Sequence, residues 1–377
     1  MTKGVSCLLD RHAAVLARAA RAGLAAGLLG LVLCSPSNAD PAHWARAVAG
    51  HLGVLQAARP VEEWLADPQT PEPLRQRLEL ALELRRFAIQ ELALPDNPSY
   101  SRYAELGRTF VLWNVVAAPV LSFELKTWCY PVTGCVGYRG HFSEARARQE
   151  AQALQEEGWE VHVYGVQAYS TLGWTNWLGG DPLLNTFARG SPIELARLLF
   201  HELSHQVAYA AGDMAFSEGY ATAMETLGLA HWAAHPSSKL VDAAQWEQWQ
   251  RRQVQRHEFN ALLKAHKAEL AALYRSRMAD EARLERKRGL QSQFRERYEQ
   301  WRDQGWRGDG RFDDWVVAHN NASLALQGSY QDWVPAFTAL FEREGRDFAR
   351  FHAAVKRLAA APVKERRQAM MDLAGIF

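Results

Sequence analysis

Cysteine is scarce, four in 377 residues, and so is any surplus of charge, since 43 Lys plus Arg stand against 42 Asp plus Glu. Because Cys7 and Cys34 lie in the N-terminal segment, the folded part can hold one disulfide at most, between Cys129 and Cys135. Balanced charge removes the basic surplus with which a chain grips a phosphate backbone, so nucleic acid is not an expected partner. No apolar run reaches the roughly 20 residues of a membrane-spanning helix, and no repeat of fixed period is found. What is present, 48% hydrophobic and 11% aromatic residues, is ordinary globular composition. It excludes a disordered chain and supplies a large core.

The N-terminal segment reads as an address. Residues 1–21 carry Lys3, Arg11, Arg18 and Arg21 with one acid, Asp10, and Ala22–Cys34 (AGLAAGLLGLVLC) follows as 13 apolar or small residues. This is the layout of a signal peptide; the competing reading is a buried N-terminal core helix. Two processing routes follow. Ser37-Asn38-Ala39 puts small residues at the −3 and −1 positions of a cleavage site before Asp40. Alternatively Cys34 is the lipidated cysteine of a bacterial lipoprotein, a membrane tether, although Leu33 stands where that processing prefers a small residue. Either route predicts export to the bacterial periplasm or cell envelope. Losing residues 1–39 removes four cations and one acid, so the remainder is nearly neutral at a formal −2. In that compartment Cys129 and Cys135, in W-C-Y-P-V-T-G-C, are expected to form a disulfide.

Helices are predicted over Ala45–Ala57 and Pro73–Leu92, the second stopped by Pro95-Asp96-Asn97-Pro98. Val111–Leu125 reads as a strand or a short core helix, which periodicity cannot separate. Ser143–Glu157 is a helix closed by Gly158, and Glu160–Ala168 (EVHVYGVQA) alternates as a strand does. Ser191-Pro192-Ile193-Glu194 is a capping box with Pro at the first helical position, so a helix begins at Pro192 and ends before Gly212. Ser217 is expected to cap another, running from Glu218 to about Ala234. Residues 244–302 hold 14 Lys plus Arg against 8 Asp plus Glu, with anchors Phe259, Leu262, Leu263, Leu270 and Leu273. A solvated helical hairpin leaning on the core explains that run better than an anionic partner. Helices recur from Asp313 to Phe377. The fold class is thus α+β, predominantly helical. Its expected parts are a signal peptide (1–39), a mainly helical part (40–140), a catalytic core (141–235), the charged hairpin (236–310) and a helical C-terminal part (311–377).

The helix starting at Pro192 carries His201-Glu202-Leu203-Ser204-His205. Histidines four apart lie about 40° apart around a helix, so both imidazoles can hold one ion, with Glu202 turned about 100° from His201 to poise a water. Leu199, Leu203 and Val207 line the opposite face and anchor it. A catalytic zinc takes three protein ligands and a water. Glu218 is the expected third ligand. Its rival Glu225, seven residues on and nearly in phase, reads as a partner orienting a ligating histidine or as a surface salt-bridge residue. Asp213 is the weaker rival, better explained as a turn residue after Gly212.

With Glu202 and Glu218 in these settings, the chain resembles the gluzincin metallopeptidases, the thermolysin-like group. More narrowly it is similar to a bacterial family of predicted aminopeptidases. The stretches that carry the likeness are Leu94–Tyr100 (LPDNPSY), Trp113–Ala118, Trp128–Cys135 with Tyr138–Gly140, Ala168–Trp174, Asp181-Pro182 and His201–Glu218. Ser217 stands where the gluzincin pattern commonly has Asn, and Thr175–Gly180 (TNWLGG) resembles an insertion beside the cleft. The resemblance implies a zincin core of small sheet and active-site helix, one Zn²⁺ per chain, a peptide substrate, and Glu202 as the base that takes a proton from the attacking water. It also implies an oxyanion donor. Tyr330 and Tyr169 are the favoured candidates, beside Tyr138 and Tyr209. The strand Glu160–Ala168 could pair with substrate backbone.

The leading expectation is therefore an exported zinc-dependent peptidase, an aminopeptidase, with endopeptidase action left open. The alternatives are a non-catalytic zincin-fold envelope protein that binds peptides or partners, and a membrane-tethered scaffold built on residues 244–302. Intact His201, Glu202, His205 and Glu218 favour catalysis, since a dead enzyme need not keep its base.

Overall fold

A computed structural model describes residues 41–130, 134–173, 176–326 and 333–375. The expected signal peptide, Cys34 and Tyr330 all lie outside the described residues. Contacts divide the chain into two compact units, residues 1–49 and 50–377. The described chain begins with helix α1 (Pro41–Ala57). Among the described residues, no helix is long and apolar enough to cross a membrane.

In the larger unit, β1 (Ala58–Pro60) leads into α2 (Val61–Ala66) and α3 (Glu72–Gln90). Leu74, Leu78, Leu84 and Phe87 of α3 are buried in the main core, as their helical spacing requires. β2 (Arg102–Ala104) pairs antiparallel with β1 and parallel with β8 (Leu183–Leu184) in one small sheet. A second sheet has the order β6–β3–β7, all antiparallel, from β3 (Leu112–Pro119), β6 (Arg139–His141) and β7 (Trp159–Val166).

The ambiguous segment Val111–Leu125 is therefore a strand over its first half. It shows no alternation because both faces of β3 are covered: Val115 and Ala117 pack on α4 (Glu144–Glu156), Val116 and Ala118 on Ala322 and Leu326. Between β3 and β6, β4 (Trp128–Tyr130) and β5 (Gly134–Val136) form a two-stranded ribbon closed by the disulfide Cys129–Cys135.

After α5 (Asn185–Ala188), α6 (Pro192–His205) and α7 (Met214–Ala233) pack together in the main core with α3, α12 (Val334–Arg343) and α13 (Phe348–Ala360). The basic stretch is a hairpin of α8 (Ala243–Tyr274) and α9 (Asp280–Gly305) with its own core of Phe259, Leu263, Leu270, Leu290, Phe294 and Tyr298. Short helices α10 (Asp313–Ala318) and α11 (Asn321–Leu326) tie it to the second sheet, and α14 (Val363–Ala374) ends the described chain. The tie is polar: Lys287 donates to the Val120 carbonyl at 2.8 Å and pairs with Glu160, whose other oxygen accepts from the Asn321 backbone at 2.7 Å.

Candidate metal centre

The centre is built on α6 and α7. As expected, α6 starts at Pro192, and the Ser191 hydroxyl accepts from the Glu194 backbone at 3.2 Å. The Glu194 side chain does not complete a capping box but bonds Arg197 at 2.9 Å. The helix stops at His205 and the chain turns at Gly212, whose φ of +75° suits glycine.

One expectation is corrected here: α7 begins at Met214, not Glu218, and its cap is Asp213, not Ser217. Asp213 accepts from the Phe216 backbone and from buried Arg366, 2.8 Å away. Ser217 lies inside the helix, its hydroxyl bonded back to the Asp213 carbonyl and accepting from the Ala210 backbone. The early start puts Glu218 in the second turn, facing α6.

His201 and His205 bring their Nε2 atoms to 3.1 Å, and Glu218 places carboxylate oxygens 3.5 Å and 3.7 Å from them. One ligand atom from each of the three lies within 4.8 Å of the others. A tetrahedral zinc with bonds of about 2.0–2.1 Å would hold such donors roughly 3.3 Å apart, so the triangle fits the ion. Glu225 Oε1 stands 2.6 Å from His201 Nδ1, as an ion pair outside strict hydrogen-bond geometry, and its Oε2 2.7 Å from Arg197. Glu225 thus holds the far side of the imidazole and leaves Nε2 for an ion.

The electrostatics are those of a site that could hold a cation. Burial opposes charge on His201, yet the adjoining carboxylates of Glu218 and Glu225 hold its pKa well above the usual value. Burial pushes His205 down to about 4. Against burial, His205 and His201 pull Glu218 below the ordinary carboxylate range, and Arg197 with His201 pulls Glu225 down to about 2. Burial lifts Glu202 to about 7; His201 works against this, and the charges of Glu218, Asp181 and Glu225 add to it. A divalent cation among these groups would replace the proton on His201 and lower the affinity of Glu202 for its own.

The family model described as "Putative aminopeptidase" matches residues 42–370. The chain belongs to that family. No curated protein and no solved structure matches it. Membership in an aminopeptidase family, together with a His–His–Glu cluster able to hold a metal ion, supports an enzyme of peptidase type.

Three of the stretches that carry the family likeness, Leu94–Tyr100, Ala168–Trp174 and Asp181-Pro182, meet at the C-terminal end of the metal helix. Gln206, just past His205, accepts from Asn97 at 2.8 Å and donates to Ser99 at 3.1 Å. Ser99 also accepts from the Asp181 backbone, and buried Asp181 accepts from the Thr171 backbone and hydroxyl at 2.9 Å and 2.7 Å. Gly180 is required there: a Cβ would stand 2.5 Å from the Ser99 nitrogen, at a φ of +69°. The Asn176–Leu178 turn, within the insertion-like segment, accepts from Ser99 through Asn176 and leaves Trp177 80% exposed.

The tyrosines separate. The Tyr169 hydroxyl lies 2.6 Å from His51 Nδ1, in a pocket with Phe142. Tyr138 packs against the sheet face of Val116 and Ala118. Tyr209 sets its ring edge-on to His205, centroids 6.5 Å apart, and the charge of Glu218 acts on it. Tyr164 went unnoticed in the sequence. It accepts from Asn114 at 3.1 Å and also feels Glu218, a placement created by the pairing of β3 with β7.

Proposed function

We propose that the chain is an exported zinc-dependent aminopeptidase of gluzincin type, with one Zn²⁺ held by His201, His205 and Glu218 in a thermolysin-like core of sheet and active-site helix. The observation that carries this reading is the convergence of the three ligand atoms within 4.8 Å, with buried Glu202 next to the first ligand. A zinc ion bound there supplies a Lewis acid for the scissile carbonyl and lowers the pKa of a water to about 7. Glu202 takes the proton as that water attacks and returns it to the leaving amine, a task suited to a buried carboxyl of raised proton affinity. Glu225 keeps His201 aimed, and Tyr209, whose ring stands edge-on to His205, donates its hydroxyl to the developing oxyanion.

Substrate backbone would add to the outer edge of β7, which no described strand covers. The Val166 carbonyl points inward to Val111, whereas that of Val161 accepts from the Asn320 side chain on the outer edge. By alternation, the peptide groups of Val163 and Gly165 also face outward, and no described strand pairs with them. We place the chain in the periplasm or cell envelope on residues 1–39 alone, released after Ala39 or tethered through Cys34. Residues 141–235 would be its catalytic core. The test is Glu202→Gln assayed on a panel of aminoacyl and internally cleaved peptides: hydrolysis should fall at least 100-fold with zinc content unchanged, and undiminished hydrolysis would end the mechanism.

A further inference from the structure

Glu218 and Glu225 are seven residues apart on one helix, both within 4 Å of His201, and either carboxylate could serve a metal. We infer that Arg197 makes the difference: it holds Glu225 as an orienting partner of His201 and prevents it from becoming a fourth protein ligand, so that one coordination position stays open. The inference rests on the metal-binding reading above.

The geometry is specific. Arg197 lies one helical turn before His201 on α6, its side chain 19% exposed. Its guanidinium divides between two carboxylates, Nε to Glu194 at 2.9 Å and Nη1 to Glu225 at 2.7 Å. Glu194, at the first turn of the same helix, fixes the fork from behind. Both oxygens of Glu225 are consequently engaged, Oε1 by His201 Nδ1 and Oε2 by Arg197. For Glu225 to swing toward an ion between His201 and His205, it would have to leave a largely buried guanidinium without one of its partners, which a low-dielectric interior penalises heavily. Lysine could not do the same, because its point charge lacks the two-armed fork. Among the described residues Glu218 has no such clamp: its ion-pair contacts there are the two histidine Nε2 atoms, and it turns inward to them.

The test substitutes Co²⁺, whose visible absorption reports coordination number, in the purified full chain. Wild type, Arg197→Gln, Glu225→Gln and the double variant are compared, with zinc affinity measured by chelator competition. Wild type should give the intense spectrum of a four-coordinate ion. Arg197→Gln should shift the visible bands away from wild type, to those of a four-coordinate ion with a second carboxylate in place of water or to the weaker bands of a higher coordination number, and adding Glu225→Gln should restore the wild-type spectrum, because the amide is a poor ligand. Glu225→Gln alone should keep the wild-type spectrum with zinc bound roughly 10- to 100-fold more weakly. If Arg197→Gln fails to fold by circular dichroism, Glu194→Gln, which loosens the fork from outside, should shift the spectrum in the same direction by less. A wild-type spectrum in Arg197→Gln, or in Glu194→Gln where that variant stands in for it, would overturn the inference. A wild-type chain that binds neither ion would instead overturn the metal reading beneath it.

Discussion

Asn97 donates its side-chain amide to Gln206 across 2.8 Å, joining residues 109 positions apart. Gln206 ends the helix of His201 and His205, and through its own amide it also reaches Ser99 and Asp181. The metal helix is therefore fastened at its C-terminal end by side chains of the loop before β2, while Leu199 and Leu203 fasten its flank in the core.

Removing that fastening has a definite cost. Gln206→Ala leaves Asn97 and Ser99 short of partners in a part-buried site, which should lower unfolding free energy by about 1–3 kcal/mol. Urea denaturation checks this as a lower midpoint at unchanged slope. A midpoint equal to wild type would show that the helix end is held by packing alone.

Tyr209 is the next test. If its hydroxyl steadies the oxyanion, Tyr209→Phe should lower kcat by roughly 100-fold with KM and zinc content unchanged, while Tyr164→Phe, on β7, should cost less. Steady-state kinetics on both variants decide between them. A large loss only in Tyr164→Phe would move the role to the sheet.

Acid should destabilise the fold through a buried histidine that is not itself one of the metal-site residues. His352 is 4% exposed. Its Nε2 donates to the Leu92 carbonyl at 2.8 Å, so Nδ1 accepts from the Tyr220 hydroxyl, also at 2.8 Å, and the ring is locked neutral. Burial lowers its pKa to about 4, with the nearby Lys356 charge adding to the effect. An unfolded histidine titrates near 6.5. Below that pH the unfolded chain takes up a proton the folded chain refuses. Stability is therefore full above about 6.5 and is lost as pH falls toward 4, by up to about 3 kcal/mol. His352→Gln should be less stable at pH 8 but show a flatter decline between pH 6.5 and 4 in urea titrations. An equally steep decline would assign the acid sensitivity elsewhere.

Much of this site was legible from local rules. Ser191-Pro192 marks the helix start, and the spacing of His201 and His205 sets both imidazoles on one face whatever surrounds them. The start of α7 was not legible, because Asp213 acts as its cap in partnership with Arg366, 153 positions away. Nor was β3, whose two buried faces erase the alternation that marks a strand. Glu225 stayed ambiguous for the same kind of reason: its role depends on Arg197, which α6 brings to it only after the two helices pack. Tyr164 could not be singled out until β3 and β7 had paired.

The central claim is that His201, His205 and Glu218 hold a zinc ion, and elemental analysis of the purified full chain tests it most directly. Wild type should carry about one zinc per chain, Glu218→Ala almost none, and Glu202→Gln as much as wild type. A wild-type chain that is metal-free and stays so after incubation with zinc and dialysis would contradict the account.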